Sequence, residues 1–373
     1  MSPERREAMN EFLHGAGWGD AVLSPLPGDA STRRYIRLHR GGNCAMLMDQ
    51  PQNAEAPQSP ANATPEQRRT LGYNAVARLA GADCGRFVAV ADFLRARGLS
   101  APHVFAADVK QGFVLIEDLG DDLYTVVLAN GHAGEEPALY GAAIDALAKL
   151  HGEAAPAELG NGKPLHAYDE TALIAETDLL TEWFVPLALG RAANEDEREE
   201  HRMLWCEALQ PVLSAPPVFV HRDYHAQNLF WLPEREGAAR VGMIDFQDAV
   251  AGTTSYDLIS LLEDARRDVA TELADAMMQR YIEARQKTDG AFDGDAYRTQ
   301  AAVIAAQRNA KIAGIFARLY KRDDKPRYLS YLPRVWGYLE RDLQHPALAN
   351  LKRWYDRKIP AAARHQTITG AAA

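Results

Sequence analysis

The stretch "VFVHRDYHAQNLFWL", Val218–Leu232, places a short polar segment between two apolar runs. The apolar runs are rich in branched and aromatic residues, which predicts two buried strands joined by a rigid polar turn at the edge of a sheet. The turn holds Asp223 and Asn228, five positions apart. We expect His221 to brace the turn by packing rather than to react. Side chains on a rigid turn are well placed for chemistry, so this stretch predicts a functional site.

Composition restricts the classes of protein to which the chain can belong. With 373 residues it exceeds what one hydrophobic core usually serves, which predicts two domains or lobes. Hydrophobic residues make up 47% and charged residues 25%, as in ordinary soluble globular proteins. The formal net charge of -10 argues against a nucleic-acid partner. The helical segments show no heptad pattern, so we expect a monomer.

The same features predict a cytoplasmic protein with no membrane partner. The charged N-terminus "MSPERREAMNEFLHGAGW" has no apolar signal core, and no apolar run is long enough to span a bilayer. Cys44, Cys84 and Cys206 are too few and too scattered for a disulfide framework, and they form no paired zinc-binding motif.

The order of predicted elements indicates an α+β fold. Residues 23–51 alternate apolar and polar side chains around glycine turns and predict an antiparallel meander, and residues 102–120 add two strands. Residues 52–67, rich in Pro, Ala, Asn and Gln, predict a long loop. Beyond them the apolar spacing is mostly helical. We therefore expect a sheet-rich N-terminal lobe, 1–118, and a mainly helical C-terminal lobe, 119–373, whose tail frays from about residue 360.

A second acidic motif follows the first. Twenty-two residues after Asp223, the segment "MIDFQDA" places Asp245 behind an apolar strand. The loop His221–Asn228 resembles the catalytic loop of kinases, in which an aspartate and an asparagine five residues later face one phosphate site. Phosphoryl transfer needs little covalent help from a protein, only a positioned hydroxyl and cations over the phosphate oxygens. An aspartate at the hydroxyl, together with Asn228 and Asp245 on Mg²⁺, is a sufficient set for that reaction.

Three motifs in this order resemble the aminoglycoside phosphotransferase family, which has a two-lobed protein kinase-like fold. They are the H-x-D-x-x-x-x-N loop His221–Asn228, the I-D-x-x-D segment Ile244–Asp248, and the G-x-x-x-Y-D-L segment Gly252–Leu258. The resemblance spans roughly residues 10 to 355. It implies that ATP is the phosphoryl donor, that Asp223 orients or deprotonates the acceptor hydroxyl, and that Mg²⁺ is the metal cofactor, held by Asn228 and Asp245.

The resemblance also implies a nucleotide site. Backbone groups of Glu117, Asp118 and Leu119 would meet the adenine. The turn "PGDAST" and the residue after it would cover the phosphates, through Gly28, Asp29, Ala30, Ser31, Thr32 and Arg33. The alternative is an ordinary hairpin turn, which glycine and aspartate favour in any case.

One feature departs from the kinase pattern. Kinases carry a lysine on the third strand, paired with a helix glutamate, but here the strand reads "CAMLMDQ", Cys44–Gln50, with Met48 as the expected occupant. The helix "RFVAVADFLRARG" has no glutamate. We expect Arg33 or Arg34 to supply the missing cation, and only one of them, because neighbouring strand residues face opposite sides. The alternative is two solvent-facing arginines.

The acceptor is inferred from charge and from resemblance. "GDASTRRY" and "GIFARLYKRDDKPRYLSYLPRVWGYL" are similar to family members that phosphorylate N-acetylated amino sugars at the anomeric hydroxyl. Arg308, Lys311 and Arg318 fall on one edge of an amphipathic helix, which suits an anionic sugar, and His225 is a further candidate contact. The three cations could instead form a solvated helix flank. An aminoglycoside or amino-alcohol acceptor also stays open, as does a non-catalytic protein that only binds nucleotide.

Overall fold

The computed structural model describes residues 1–27, 33–51, 59–60, 62–79, 83–130 and 135–365. The chain divides into two compact units. The first comprises Met1–His166 and His221–Val250, and the second comprises Ala167–Val220 and Ala251–Ala373. The division into a sheet-rich lobe, 1–118, and a mainly helical lobe, 119–373, was predicted from the order of the elements, and it stays a prediction.

The secondary structure follows the predicted order. The strands are β1 (Val22–Pro25), β2 (Arg34–Arg40), β3 (Asn43–Asp49), β4 (Val104–Asp108), β5 (Phe113–Glu117), β6 (Val218–Val220), β7 (Leu229–Trp231), β8 (Val241–Met243) and β9 (Val250–Gly252). The helices are α1 (Pro3–Gly15), α2 (Pro65–Leu71), α3 (Cys84–Ala96), α4 (Tyr124–Ala129), α5 (Glu136–Leu150), α6 (Glu170–Leu179), α7 (Val185–Leu189), α8 (Glu195–Leu213), α9 (Ser255–Leu262), α10 (Thr271–Thr288), α11 (Gly294–Asp323), α12 (Leu332–Asp342), α13 (Ala349–Lys358) and α14 (Ala361–Arg364). The predicted α+β class is confirmed.

The first unit is built around a five-stranded sheet of order β1-β2-β3-β5-β4, with each neighbouring pair antiparallel. Strands β2 and β3 are joined at Gly41 and Gly42, which both have positive φ (52° and 85°), as a two-residue hairpin turn requires. Ile36 and Leu38 alternate with polar residues and share a buried cluster with residues of α1 and β5. This core supports the sheet that carries Arg33, directly before β2, and Glu117, at the end of β5.

The second unit is mainly helical and is centred on α11. This helix packs against α6, α8, α9 and α12. A π-helical turn, Leu180–Phe184, separates α6 from α7. Gly314 permits a close approach of α11 to the end of α6, because a Cβ at this position would lie 2.4 Å from the carbonyl carbon of Leu179.

Two predictions about irregular segments have mixed outcomes. Of the predicted loop, residues 52–58 and 61 lie outside the described residues, and its end is the start of α2, where Thr64 forms a capping box with Gln67. Of the tail predicted to fray from about residue 360, residues 366–373 lie outside the described residues, and Ala361–Arg364 form α14. Arg364 is buried and donates hydrogen bonds to the Ile359 carbonyl and to Glu340, which holds α14 in place.

Within the described residues, no helix is both long enough and apolar enough to cross a membrane.

The contact between α6 and α11 predicts a specific stability effect. Gly314→Ala is expected to lower the free energy of unfolding by about 1–3 kcal/mol, because the new methyl group meets rigid backbone. Gly337→Ala on α12 is the matched control, since nothing lies within 4 Å of its added Cβ. That variant is expected to gain roughly 0.5–1 kcal/mol from the helix preference of alanine. Urea unfolding measures both, and equal effects would contradict the close packing.

Candidate active site

The pairing of β7 with β8 brings the two predicted metal ligands to one place. These strands are antiparallel with Leu229 opposite Met243. The residue before β7 must therefore lie opposite the residue after β8, and the Ile244 amide donates to the Asn228 carbonyl at 3.1 Å. Asp245 is the next residue along the chain. Asn228 and Asp245 thus lie at the same end of a short sheet although 17 positions separate them.

The turn between β6 and β7 is held by its own hydrogen bonds. The His225 amide donates to the Asp223 carbonyl at 3.1 Å, and the Asn228 amide donates to the His225 carbonyl at 2.8 Å. The Asn228 side-chain nitrogen Nδ2 also donates to the Asp223 carbonyl, at 2.9 Å. This bond fixes the orientation of the Asn228 amide group and leaves its oxygen Oδ1 as the atom available to a cation. The Asp223 side chain is partly exposed, as an acceptor-binding carboxylate has to be.

His221 braces the turn from below. It is fully buried, with its ring edge-on to Tyr224 at 5.7 Å and to Phe246 at 6.3 Å between centroids. Its neighbour Arg222 has φ of 75°, and Asp245 has φ of 63°, both in the left-handed region. Such backbone costs a non-glycine residue about 1 kcal/mol or more and persists where surrounding structure enforces it, most often at functional sites.

Asp245 has the surroundings of a metal-binding carboxylate. Its Oδ1 accepts hydrogen bonds from Arg33 Nη2 at 2.7 Å and from Gln247 Nε2 at 3.0 Å, and its side chain is 37% exposed. Burial raises the pKa of the Asp245 carboxyl, but the Arg33 charge and the Gln247 hydrogen bond lower it more. The pKa therefore lies below its ordinary value, and the ionised form, which binds cations, prevails at neutral pH.

The donor set fits Mg²⁺. Asn228 Oδ1 and the Asp245 carboxylate are hard oxygen ligands, and Mg²⁺ is commonly held by one or two protein groups plus substrate phosphates. Elsewhere in the described residues, no cluster of three or more His, Cys, Asp or Glu side chains could hold a metal ion by itself. The site therefore suits a metal that arrives with a phosphate ligand.

Arg33 and Arg34 occupy opposite environments. Arg33 is 9% exposed and is paired with Asp245, whereas Arg34, at the start of β2, is exposed. Met48 is fully buried on β3 beside Tyr35, whose hydroxyl lies 3.6 Å from the Met48 sulfur. The cation near the predicted metal site thus comes from the residue before β2, and not from β3.

The predicted nucleotide contacts are only partly described. Gly28, Asp29, Ala30, Ser31 and Thr32 lie outside the described residues. At the end of β5, the Glu117 carboxylate binds Arg235 at 2.5 Å and the Asp118 carboxylate binds Arg37 at 2.7 Å. These side chains are committed to the protein, as is the Glu117 amide, which donates to the His103 carbonyl at 2.8 Å. Contact between Glu117–Leu119 and a nucleotide stays a prediction.

Arg37 has a role that the sequence pattern did not reveal. Besides Asp118, it binds the Gly120 carbonyl at 3.2 Å and the Asp121 carboxylate at 2.7 Å, and so holds the linker after β5 in place. Arg37 and Tyr35 are two positions apart on β2 and therefore share one face of the sheet. This shared face is the only feature of the sequence that hints at the role of Arg37.

The basic helix edge in the second unit requires a correction. Arg308 is 6% exposed and donates to Ser260 Oγ at 3.0 Å, and Lys311 forms an ion pair with buried Glu176 at 2.6 Å. Neither is a solvent-facing side chain, because α6 and α9 supply partners that a helical projection cannot reveal. Arg318 is partly exposed. His225, in the first unit, is 6% exposed and lies 3.4 Å from Asn228 Nδ2. Contact between these residues and the acceptor stays a prediction.

Comparison with known proteins agrees with this geometry. The model of the APH phosphotransferase enzyme family matches residues 22–291. The chain belongs to this family. It is 45% identical over 370 residues to the N-acetylmuramate/N-acetylglucosamine kinase of Caulobacter vibrioides, covering 98% of this chain and 99% of the relative. The enzyme of the same name from Pseudomonas aeruginosa is 32% identical over 349 residues, which are 91% of this chain and 90% of that protein.

The same fold is found in solved structures. Choline kinase from Streptococcus pneumoniae superimposes with a TM-score of 0.55 at 11% identity, over 93% of this chain and 99% of that chain. At this identity the likeness concerns the fold alone. The predicted protein kinase-like fold of this phosphotransferase is thereby confirmed.

The unequal placement of the two arginines predicts unequal kinetics. Arg33→Ala should raise the KM for the phosphoryl donor and lower kcat, reducing kcat/KM roughly 10- to 100-fold, because a buried charge-assisted contact is lost. Arg34→Ala, the matched control, should stay within about twofold of wild type. Steady-state kinetics of both single variants and the double variant measure this. Normal kinetics in all three would mean that metal and backbone amides alone neutralise the phosphates.

Proposed function

We propose that this phosphotransferase moves the γ-phosphoryl group of ATP to the anomeric hydroxyl of N-acetylmuramate and N-acetylglucosamine, as a step in the recycling of peptidoglycan. The observation that carries the proposal is the near full-length match, at 45% identity, to a kinase named for these two sugars. Two observations support it: Asp223 and Asn228 share one hydrogen-bonded turn, and the pairing of β7 with β8 brings Asn228 beside Ile244, the residue before Asp245. Asp, Asn and Asp side chains are those that phosphoryl transfer requires.

Each group has a distinct task in the proposed reaction. The Asp223 carboxylate accepts a hydrogen bond from the acceptor hydroxyl, orients its oxygen toward the γ-phosphorus, and takes the proton as the new O–P bond forms. ADP leaves as the old O–P bond breaks. Asn228 and Asp245 would hold Mg²⁺, which supplies neutralising charge to the phosphate oxygens when bound.

Arg33 supplies a second cation in this scheme. Its guanidinium lies against Asp245, so a phosphate that reaches the metal ligands is also within reach of a planar, two-pronged donor. We propose that Arg33 fulfils the charge-neutralising task of the kinase lysine, for which Met48 offers no substitute.

The setting of the reaction completes the proposal. The substrates are small molecules, and we propose a monomer acting in the cytoplasm, where ATP is available. All three cysteines, Cys44, Cys84 and Cys206, are free thiols, which suits a reducing compartment.

Two conservative substitutions separate catalysis from metal binding. Asp223→Asn should lower kcat by about 10²- to 10⁴-fold and leave nucleotide affinity nearly unchanged, because it removes the proton acceptor and not a nucleotide ligand. Asp245→Asn should weaken Mg²⁺-dependent nucleotide binding as well. Turnover and calorimetric titration with Mg²⁺ and ADP give both quantities for each variant. Near wild-type turnover in Asp223→Asn would refute its catalytic role.

Two experiments test the identity of the acceptor: phosphorus NMR of the product, and removal of the positive charge of Arg318. Phosphorus NMR should show a phosphate on the anomeric oxygen. Arg318→Ala should raise the KM for N-acetylmuramate about tenfold and that for N-acetylglucosamine less than twofold, because only the former carries a carboxylate. Lys311→Met is the contrast, since it leaves Glu176 buried without its cation and should destabilise the fold and affect both sugars alike. Phosphorylation of a primary hydroxyl, or turnover with aminoglycosides alone, would overturn the proposal.

A further inference from the structure

The helix that lacks the kinase glutamate makes a different connection to the metal segment, Asp245–Ala249. Arg86, on the first turn of α3, is 2% exposed. Its Nε donates to the Gln247 carbonyl at 2.7 Å, and its Nη2 donates to the Ala249 carbonyl at 2.5 Å. Its Nη1 donates to the Pro164 carbonyl. One buried side chain of α3 thus holds the backbone of the metal segment on either side of Asp248.

A second connection joins the metal segment to the catalytic turn. Arg78, at the end of the π-helical turn Asn74–Arg78, binds the Asp248 carboxylate through Nε at 2.8 Å. The Arg78 carbonyl accepts a hydrogen bond from Arg222 Nη1 at 2.8 Å, and the Ala77 carbonyl accepts one from Arg222 Nη2 at 3.1 Å. Arg222 directly precedes Asp223. The π-helical turn therefore links the residue next to the catalytic aspartate with the second aspartate of the I-D-x-x-D motif.

These contacts converge on backbone that is strained. Arg222 and Asp245 both have left-handed φ, and such conformations relax unless neighbouring contacts determine them. Arg33 and Gln247 bind the side chain of Asp245. Its backbone is held on both sides, by the Ile244 amide that donates to the Asn228 carbonyl and by the contacts of Arg86 with the residues that follow. Guanidinium groups suit this task, because each can bind several carbonyl oxygens in a fixed plane.

We propose that Arg86 and the Arg78–Asp248 pair are positioning residues that hold Asp245 in the geometry needed to bind Mg²⁺. In kinases a lysine–glutamate pair joins the third strand to the helix, and here arginines join α3 and the π-helical turn directly to the metal segment. Asp248 then acts as the anchor of this segment and not as a metal ligand. The inference rests on the proposed function for its metal, but it does not depend on the identity of the acceptor.

Two conservative variants and a matched control test the proposal. Arg86→Lys keeps the positive charge but replaces three separate guanidinium nitrogens, each bound to a different carbonyl, by one ammonium nitrogen. Asp248→Asn keeps the shape but removes the ion pair. Arg97→Met is the control, because Arg97 lies at the other end of α3 and pairs with Glu153, which is 61% exposed. Manganese titration in the presence of ADP, followed by electron paramagnetic resonance, reports metal affinity without turnover.

We expect the variants to lose metal affinity while their affinity for the sugar stays nearly unchanged. Arg86→Lys and Asp248→Asn should weaken metal binding about 10- to 100-fold, as removal of groups that orient metal ligands does. Both should raise the Mg²⁺ requirement of turnover, with the KM for the sugar within about twofold of wild type. Hydrogen exchange should accelerate in peptides covering residues 243–250, and the Arg97 variant should match wild type in all three measurements.

A double-mutant cycle checks the pair. Arg78→Met combined with Asp248→Asn should weaken metal binding no more than the stronger single change, since both remove the same ion pair.

A purely structural role gives a different outcome. If Arg86→Lys and Asp248→Asn fold with reduced melting temperature but with unchanged metal affinity and exchange, the proposal is wrong. Should Arg86→Lys fail to fold, Asp248→Asn and the double-mutant cycle decide. Absence of sugar phosphorylation in the wild type would refute the proposed function instead, and the manganese titration would still test the positioning residues.

Discussion

The active site depends on the register of one short strand pair. Leu229 opposite Met243 is what places Asn228 beside Ile244 and hence beside Asp245. A slip of one residue would turn every side chain of either strand to the other face and separate the two proposed metal ligands. So short a pairing is stabilised from outside, because the Met243 amide donates to the Ser100 carbonyl at 2.7 Å and the Trp231 amide donates to the Asp122 carbonyl at 2.8 Å. Gly242 adds a steric limit, since a Cβ there would lie 3.0 Å from side-chain carbons of Phe230 and Leu232.

Buried arginines organise the charge around this strand pair. Arg33 binds a carboxylate, whereas Arg86 and Arg222 bind backbone carbonyls of irregular segments. Removing a cation from water costs free energy. Each of these arginines offsets that cost by donating hydrogen bonds to several groups at once, including backbone carbonyls that have no partner in regular secondary structure. The departure from the kinase lysine and glutamate is accompanied by buried arginines in the first unit: Met48 is fully buried on β3, Arg33 lies against Asp245, and Arg86 of α3 binds the metal segment.

The second unit contains a buried carboxylate whose charge is compensated by several neighbouring donors. Glu176 is fully buried and accepts hydrogen bonds from Gln307 at 3.2 Å and from Tyr168, besides its ion pair with Lys311. Each added donor offsets part of the cost of burying the carboxylate. A lysine committed in this way is a poor ligand for a sugar, because a substrate would have to compete with an internal carboxylate at 2.6 Å. The helical projection correctly placed Lys311 at the edge of the apolar face, but the identity of the neighbouring helix determines what that edge does.

What the sequence determined by itself is local in origin. The Gly41–Gly42 turn, the strands and helices, and the spacing of Asp223 and Asn228 follow from residues within a few positions of one another. The ordered motifs were enough to predict the family and the fold. The tertiary structure decided the rest: which of two adjacent arginines faces Asp245, what α3 offers in place of a glutamate, and whether Arg308 is available to a ligand. Arg33 and Asp245 are 212 positions apart, and Arg86 and Gln247 are 161 apart. Side-chain direction on a strand or helix is set by local periodicity, whereas the partner that a side chain meets is set by distant segments, whose positions no local pattern encodes.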